Sequence, residues 1–257
     1  MSGCPLCPGT LSPWHRYTAP PEGETPFALN PYDRTLLRCA SCGHMVSTVA
    51  LDDLYSGAYM DATYAGDRLA ATYERVMALP PERSDNTARV ARVLAAAGTG
   101  GRALDVGAGL GVFPARLSEA GWEVTALDPD PRAAEHLRTR VGVETVHGDF
   151  LAGALTRLGP FDLVTFNKVL EHVEDPVAML ARAAQVLAPG GLVYVELPDA
   201  EGAAADGSGR EEFFIEHLHV FSLASAALLG RAAGFSVTAL DRLREPSGKY
   251  TLAAFMK

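Results

Sequence analysis

The fold of this chain is decided by the stretch Leu104-Asp105-Val106-Gly107-Ala108-Gly109-Leu110-Gly111. A short apolar run that predicts a β-strand leads into it, and a helical pattern follows. Glycines in such a turn permit a tight bend and let a ligand approach the backbone closely. Dinucleotide-binding turns use the spacing G-x-G-x-x-G, whereas these glycines fall at 107, 109 and 111 behind an acid at 105. A carboxylate there would repel a pyrophosphate but accept from an ammonium group. With Asp128 ending the next predicted strand and suited to a ribose diol, the turn favours a nucleoside with a cationic tail over NAD.

Strand and helix patterns alternate after this turn. The strand candidates are short apolar runs at residues 103–106, 123–127, 143–146, 161–166 and 192–196. Helical patterns fall near residues 112–120, 131–140, 176–187 and 223–233. Two further strands, at 236–240 and 250–256, have no long helix between them and could pair antiparallel. The pattern predicts an α/β fold with a Rossmann-like, seven-stranded, mostly parallel sheet and helices on both faces.

The chain divides by composition into three parts. Residues 1–60 hold all four cysteines and little apolar periodicity, so we expect a small loop-rich zinc-binding unit. Residues 61–98 read as a helical linker or cap, and residues 99–257 as the main domain. The small, polar residues 202–209 are predicted to form a mobile loop, and whether this loop acts as a lid stays open.

The cysteines form two pairs, Cys4-Pro5-Leu6-Cys7 and Cys39-Ala40-Ser41-Cys42. Each CxxC can place two thiolates on one tetrahedral ion, and four sulfurs close the coordination shell, which favours a structural zinc. His44 is interpreted as a bystander. Unrelated thiols or a redox pair are the alternatives.

Composition and charge exclude several classes of protein. The 257 residues contain 22 Lys+Arg and 31 Asp+Glu, a formal net charge of −9, and no basic run. This balance argues against a nucleic-acid partner. No apolar stretch approaches the roughly 20 residues that span a bilayer, and the N-terminus lacks the features of a signal peptide. We therefore expect a cytoplasmic protein without a membrane partner.

Four motifs in this order and spacing resemble the class I S-adenosylmethionine-dependent methyltransferases. They are the glycine turn, Asp128, Gly148-Asp149-Phe150, and the stretch from Phe166 to Val173. The resemblance implies that Asp105 and the turn hold the amino-acid end of the cofactor and that Asp128 binds the ribose. It further implies that Asp149 binds the adenine amino group with Phe150 packed on the ring, and that Asn167 lies beside the cofactor. The full predicted cofactor set is Asp105, Gly107, Ala108, Gly109, Asp128, Pro129, Asp149, Phe150, Asn167 and Lys168.

A narrower resemblance is to the nucleotide-sugar C-methyltransferases of deoxysugar biosynthesis. It is carried by the cysteine unit, a tyrosine-rich segment with Tyr55, Tyr59 and Tyr64, then His172, and finally Glu216-His217. It implies His217 as a general base beside a ketone, Glu216 as its orienter, and His172 and Tyr64 as supporting groups. The tyrosines could equally be core or interface aromatics, and the histidines could instead shape or cap their loops. Those enzymes carry a further C-terminal domain, which we do not expect in this chain after Lys257, and a tyrosine where this sequence has Phe213 or Phe214.

The sequence therefore predicts S-adenosylmethionine-dependent methyl transfer to a small molecule in bacterial specialised metabolism. One alternative is a ribosomal-RNA methyltransferase with a zinc module, although residues 1–90 hold seven Arg and no Lys against ten Asp+Glu. Another is a catalytically silent methyltransferase-fold binding module, which the acids at 105, 128 and 149 disfavour. The acceptor, the atom methylated, the choice of base between His217 and His172, and a monomeric or homodimeric state stay open.

Overall fold

The computed structural model describes residues 3–25, 29, 31–49, 68–152 and 158–257. Within these ranges the strands are β1 (Leu11–Tyr17), β2 (Arg34–Cys39), β3 (Met45–Ser47), β4 (Arg102–Val106), β5 (Glu123–Asp128), β6 (Glu144–His147), β7 (Phe161–Asn167), β8 (Leu187–Pro198), β9 (His219–Val220), β10 (Val237–Arg244) and β11 (Tyr250–Met256). The α-helices are α1 (Arg68–Met77), α2 (Asp85–Ala97), α3 (Val112–Glu119), α4 (Pro131–His136), α5 (Pro176–Arg182), α6 (Ala200–Ala205) and α7 (Leu223–Ala232).

Seven strands form one sheet in the order β10-β11-β8-β7-β4-β5-β6. The pairs β4/β5, β4/β7, β5/β6 and β7/β8 are parallel, whereas β11 runs antiparallel to both β8 and β10. This confirms the predicted sheet, including the antiparallel pairing of its last two strands. After β4 the chain adds β5 and β6 on one side of this strand, and it then adds β7 on the other side. The strand order thus reverses between β4 and β7, and the carboxyl ends of these two strands border a crevice.

Both faces of this sheet are covered, as predicted. Leu104 and Phe166 enter a core on one face, together with side chains from α5 and α7. Ala103 and Leu163, which lie an odd number of positions away on the same strands, enter a second core with side chains from α2 and α3. The alternation follows from the two-residue period of a strand. Among the described residues, no helix has the length and apolar character needed to cross a membrane.

A second, antiparallel sheet has the order β1-β2-β3-β9. Its first three strands come from the N-terminal residues. The sequence pattern predicts these residues as loop-rich and does not predict the strands. Its fourth strand, β9, comes from the part of the chain that follows the large sheet's β8, and it pairs Met45 with Val220 and Val46 with His219. The predicted division at residues 60 and 98 stays a prediction, and residues 50–67 lie outside the described residues.

The prediction of a mobile loop at residues 202–209 is wrong for residues 202–205, because these residues belong to α6. The Asp199 side chain caps this helix by accepting from the Glu201 N–H at 3.0 Å. Ala200 and Ala203 are fully buried against a cluster that includes Phe213. Small residues here allow close packing rather than mobility: a Cβ on Gly202 would lie 2.7 Å from Cδ1 of Tyr250.

Candidate functional site

A cavity of about 390 Å³ lies at the carboxyl ends of β4 and β7. One part of its wall, the cofactor end, comprises Asp105, the turn 107–111 and Asn167. Another part, the histidine end, comprises Glu171, His172 and His217. The predicted base candidates and the predicted ligands of the cofactor's amino-acid end therefore border one space.

The glycine turn needs glycine at Gly107 and Gly111 for both conformation and space. Their φ angles are 68° and 75°, in the left-handed region that favours glycine. A Cβ on Gly107 would lie 2.7 Å from Cγ2 of Val169, and one on Gly111 would lie 2.7 Å from side-chain atoms of Leu137 and Val141. The Gly107 N–H donates to the carbonyl of Leu127 at 2.8 Å, which ties the turn to the neighbouring strand.

Asp105 is a buried carboxylate at the cofactor end, 2% exposed. Its Oδ1 accepts from Thr165 Oγ1 at 2.6 Å and from Asn167 Nδ2 at 2.8 Å. Burial raises the pKa of Asp105 to about 7, against the lowering effect of these two hydrogen bonds. A cation bound in the cavity beside this carboxylate would favour its ionised form.

Asn167 adds a second acceptor next to Asp105. Its amide nitrogen is used by Asp105, and its buried Oδ1 has no hydrogen-bond partner. A buried acceptor without a partner is costly. An ammonium group carries three donors and could satisfy both Asn167 Oδ1 and the Asp105 carboxylate. The donor set of S-adenosylmethionine, whose amino-acid end carries an ammonium, therefore fits this end of the cavity.

Asp128 lies at the end of β5, as predicted, but it is not among the residues that line the cavity. Its Oδ2 accepts from the Gly109 N–H at 2.8 Å and its Oδ1 from the Asp130 N–H at 2.9 Å. Burial raises its pKa, and these backbone donors oppose the rise. Asp128 is thereby fastened to the glycine turn, while each carboxylate oxygen keeps a second lone pair for a ribose hydroxyl. The neighbouring Pro129 is exposed, and its carbonyl pairs with His147 Nε2 at 3.1 Å.

Asp149 and Phe150 have opposite environments. Asp149 is exposed, and its Oδ1 accepts from the Leu151 N–H at 2.7 Å. Phe150 is 2% exposed and packs edge-on against Phe166, with ring centroids 5.7 Å apart. Phe150 belongs to the core in this structure, where burial of its large apolar side chain is favourable, and its predicted stacking on an adenine ring stays a prediction.

Lys168 stands between the two ends of the cavity. Its φ of 61° is a left-handed conformation that residues other than glycine rarely adopt. Its Nζ donates to Thr251 Oγ1 at 2.8 Å. Burial lowers its pKa, while Glu171 and Glu196 favour its charged form. Such backbone conformations often occur at functional sites.

The two imidazoles of the histidine end are oriented by backbone carbonyls. His217 Nδ1–H donates to the Glu212 carbonyl at 2.9 Å, and His172 Nδ1–H donates to the Glu216 carbonyl at 2.9 Å. In the neutral form this leaves Nε2 of each ring as an acceptor. Burial, together with the nearby His172, lowers the pKa of His217 well below its usual range, so this ring is neutral at pH 7.

Two carboxyl groups accompany these rings. Glu171 is fully buried, and neither of its oxygens has a hydrogen-bond partner. Burial raises its pKa, against the influence of His172 and Lys168. Burial also raises the pKa of Glu216, whose side chain lines the same cavity. For His217, the orienting group that the structure shows at Nδ1 is the Glu212 carbonyl, a partner that the sequence did not indicate.

The remaining predicted supporting residue, Tyr64, lies outside the described residues. Tyr55 and Tyr59 do as well. The place of this tyrosine-rich segment relative to the cavity stays a prediction.

The four cysteines come together as predicted. The ligand sulfurs of Cys4, Cys7, Cys39 and Cys42 all lie within 4.8 Å of one another. The Cys4–Cys42 sulfur distance is 3.7 Å and the Cys7–Cys39 distance is 3.4 Å. Ligands about 2.3 Å from a tetrahedral zinc lie roughly 3.7 Å apart, so the donor set and its spacing fit zinc.

The sequence did not indicate a buried ion network, of which Arg89 lines the cavity. Glu196 on β8 accepts from Arg89 Nη2 at 2.6 Å and from Arg92 Nη2 at 2.7 Å, and Arg92 also bridges to Glu245 at 2.9 Å. The Tyr194 hydroxyl donates to Glu196 at 2.5 Å. Helical spacing predicts α2 but not which strand its arginines face, so no signal in the sequence identified this network.

Comparison with known proteins now identifies the class. Residues 79–240, more than half of the chain, match the family described as the methyltransferase domain. The chain belongs to this family, and its fold is that of the class I S-adenosylmethionine-dependent methyltransferases.

One curated relative is the ubiquinone biosynthesis O-methyltransferase of Xanthomonas campestris pv. campestris (strain B100). It is 36% identical over 132 residues, which are 49% of this chain and 53% of the relative. The chain thus spans about half the length of the curated relatives it matches.

Two solved structures share the fold at low sequence identity. The 1,6-didemethyltoxoflavin-N1-methyltransferase of Burkholderia thailandensis, solved with 1,6-didemethyltoxoflavin and S-adenosylhomocysteine, has a TM-score of 0.59 at 20% identity, covering 93% of this chain and 98% of that chain. A possible histamine N-methyltransferase of Thermotoga maritima has a TM-score of 0.58 at 22% identity, covering 74% and 96%.

Proposed function

We propose that this protein transfers a methyl group from S-adenosylmethionine to a small-molecule acceptor in bacterial specialised metabolism. The observation that carries the proposal is the single cavity with two chemically different ends. One end holds the Asp105 carboxylate and the partnerless Asn167 Oδ1, and the other holds two imidazoles whose Nδ1–H groups donate to backbone carbonyls. A cation-binding end joined to a proton-accepting end is the arrangement that methylation of a weakly acidic group requires.

In this proposal the cofactor end binds S-adenosylmethionine, which supplies the electrophilic methyl group. Asp105 and Asn167 accept hydrogen bonds from its ammonium, and the turn at Gly107, Ala108 and Gly109 lets it approach the backbone. Asp128 and Asp149 receive the ribose and adenine groups, with Pro129 and Lys168 beside them. Loss of one charge-assisted hydrogen bond weakens binding by about 1.5–3 kcal/mol, so Asp128→Ala should lower cofactor affinity more than tenfold.

At the histidine end, His217 is proposed as the general base for an acceptor carbon that lies beside a carbonyl. Its Nε2 takes the acceptor's proton, and the Glu212 carbonyl holds the ring in the required tautomer through Nδ1–H. The low pKa keeps the imidazole in its neutral, proton-accepting form at pH 7. Glu216, His172 and Tyr64 are proposed as supporting groups, and His172 is the alternative base because it lines the same cavity.

The test is turnover of His217→Asn and His172→Asn on a panel of small-molecule acceptors, with cofactor affinity measured in parallel. We expect His217→Asn to lower kcat at least about 100-fold while cofactor affinity stays unchanged. Collapse in His172→Asn alone would transfer the role to His172. Full activity in both variants would refute a histidine base, and cofactor binding without turnover on any acceptor would favour a silent binding module.

We further propose a structural zinc at Cys4, Cys7, Cys39 and Cys42. Closure of the shell by four sulfurs leaves no position for a substrate, which supports a structural role. Elemental analysis of protein purified without chelator should find about one zinc per chain, and Cys39→Ser should lose it while the large sheet stays folded. Far less than one zinc in the wild-type protein would contradict this.

A further inference from the structure

Hydrogen bonds from residues 3–49 to the rest of the chain converge on one stretch, residues 208–222, which we call the histidine segment because it carries His217. At its start, Tyr17 OH donates to the Ser208 carbonyl at 2.8 Å. In its middle, the Ile215 N–H donates to Glu24 Oε2 at 2.7 Å. Beyond His217, the Ser47 N–H donates to the Leu218 carbonyl at 2.9 Å, and β3 pairs with β9. The N-terminal unit therefore holds the segment on both sides of His217.

Glu24 is the contact nearest to His217 on the N-terminal side, and it is built into the interior. Its side chain is fully buried and pairs with the equally buried guanidinium of Arg34 at 2.8 Å. Tyr32 OH donates to its Oε1. A buried carboxylate is stable only when its charge and lone pairs are met. Here the ion pair with Arg34 fixes the carboxylate, and the carboxylate in turn fixes the backbone of Ile215.

The opposite side of the histidine segment touches the remaining members of the histidine end. The Leu218 N–H donates to the Glu171 carbonyl at 2.8 Å. The Glu216 carbonyl accepts from His172 Nδ1–H. The rings of His172 and His217 have centroids 4.9 Å apart. A shift of the backbone at Ile215–Leu218 would therefore move His217 and release the orienting bond of His172 together.

The far end of the segment is joined to the cysteine cluster. Ser222 Oγ, which also caps α7, donates to the Cys42 carbonyl. His44, fully buried, lies 3.1 Å from His219 through Nε2 and Nδ1. The cysteine cluster therefore anchors the end of the histidine segment at Ser222. Glu24 anchors the segment through the Ile215 N–H, immediately before Glu216 and His217.

We propose that Glu24 is a positioning residue of the methyl-transfer site, acting through the Ile215 amide to hold His217 at the cavity. The inference rests on the proposed role of His217 and extends the site into the N-terminal unit. Glu24 does not border the cavity itself, so its effect would reach the acceptor and leave the cofactor end unchanged.

The test variant is Glu24→Asp, which keeps the charge facing Arg34 but shortens the side chain by one methylene. A shortened carboxylate cannot span both Arg34 and the Ile215 N–H in the present geometry. The matched control is Glu22→Asp, the same substitution at an exposed position two residues away. Amide hydrogen exchange of Ile215, the imidazole NMR signals of His217 and the affinity for S-adenosylmethionine are measured in the wild type and both variants.

We expect Glu24→Asp to accelerate Ile215 exchange at least about tenfold and to shift the His217 signals, with cofactor affinity within about twofold of the wild type. Glu22→Asp should match the wild type in all three. Unchanged Ile215 exchange and unchanged His217 signals in a folded Glu24→Asp protein would overturn the proposal.

If Glu24→Asp fails to fold, amide hydrogen exchange of the wild-type protein still tests the proposal. The proposal requires the Ile215 amide to be protected as strongly as the amides of the β3–β9 pair, and exchange within about threefold of an exposed loop would overturn it. Failure of the His217 base is seen separately, as full turnover in His217→Asn with these exchange results intact.

Discussion

The two ends of the cavity are built in different ways. The cofactor end comes mainly from one contiguous piece of chain, β4 with its glycine turn, supplemented by Asn167 at the end of the adjacent β7. The histidine end is assembled from residues 171–172 and 217, with the N-terminal unit behind them. One end is defined by backbone conformation at glycines, and the other by carbonyl acceptors that orient imidazoles.

Because of this difference, we expect the two ends of the cavity to be disrupted by different substitutions. A contiguous turn depends on few long-range contacts, so it should tolerate changes elsewhere but not at its own glycines. An end assembled from distant segments depends on every contact that holds those segments together. The following predictions use this contrast, beginning with a change in the buried ion network that includes the cavity-lining Arg89.

The largest effect is expected from Glu196→Gln, because Glu196 is the carboxylate that both Arg89 and Arg92 contact in the buried ion network. The substitution leaves Arg89 without its charge partner and Arg92 with Glu245 alone, which should lower the free energy of unfolding by about 3–5 kcal/mol. Urea denaturation measures this. Arg16→Ala, which breaks the exposed pair with Asp33, is the control and should change the stability far less, because water screens the pair.

The lowered pKa of Glu196 predicts that the protein becomes less stable in acid. Burial acts to raise the pKa of Glu196, but Arg89, Lys168 and the Tyr194 hydroxyl outweigh it and lower the pKa to about 2. A lowered folded-state pKa adds stability above the ordinary value of about 4.3, and this stability is lost as the pH falls toward 2. Equal stability of Glu196→Gln and the wild type at pH 7 would contradict a stabilising role of this ion network.

A smaller effect, confined to the cofactor end, is expected from Gly107→Ala. The new Cβ meets Val169 Cγ2 at 2.7 Å in a left-handed backbone, so the turn must shift. We expect S-adenosylmethionine affinity to fall at least about 100-fold, roughly 2.7 kcal/mol. Gly209→Ala is the matched control, since its Cβ would meet nothing within 4 Å. Equal affinities of the two variants, measured by calorimetry, would contradict a close approach of cofactor and turn.

The sequence predicted the two ends unequally. The glycine turn, the sheet and the cysteine pairs each follow from local patterns, namely strand–turn–helix alternation and CxxC spacing, so they could be predicted. The role of Phe150 at the adenine ring stays a prediction, because a motif does not say which side of the backbone faces the core. The contacts of Glu24 with Ile215 and of Glu196 with Arg89 join residues far apart in the chain. Such pairs depend on the register of the whole fold, which no local period encodes.

The smallest stability effect is expected from Asp105→Asn, which separates function from stability at the cofactor end. Since burial raises the folded-state pKa of Asp105 to about 7, above the ordinary value of about 3.9, the cofactor-free protein loses stability as the pH rises through 7. Asp105→Asn has no titrating group at this position and therefore does not lose stability as the pH rises. It should be more stable than the wild type at pH 8.5 by about 1–3 kcal/mol. Urea denaturation at pH 5 and pH 8.5 tests this, and an identical pH dependence of the two proteins would refute it.

The central claim, that one cavity has a cofactor end and a separate histidine end, is tested most directly by calorimetric titration of S-adenosylmethionine into Asp105→Asn and His217→Asn. The account predicts at least about tenfold weaker binding in Asp105→Asn, because a charge-assisted hydrogen bond to the ammonium is lost. It predicts binding within about twofold of the wild type in His217→Asn. Wild-type affinity in Asp105→Asn, or an equal loss in both variants, would contradict the division of the cavity into two ends.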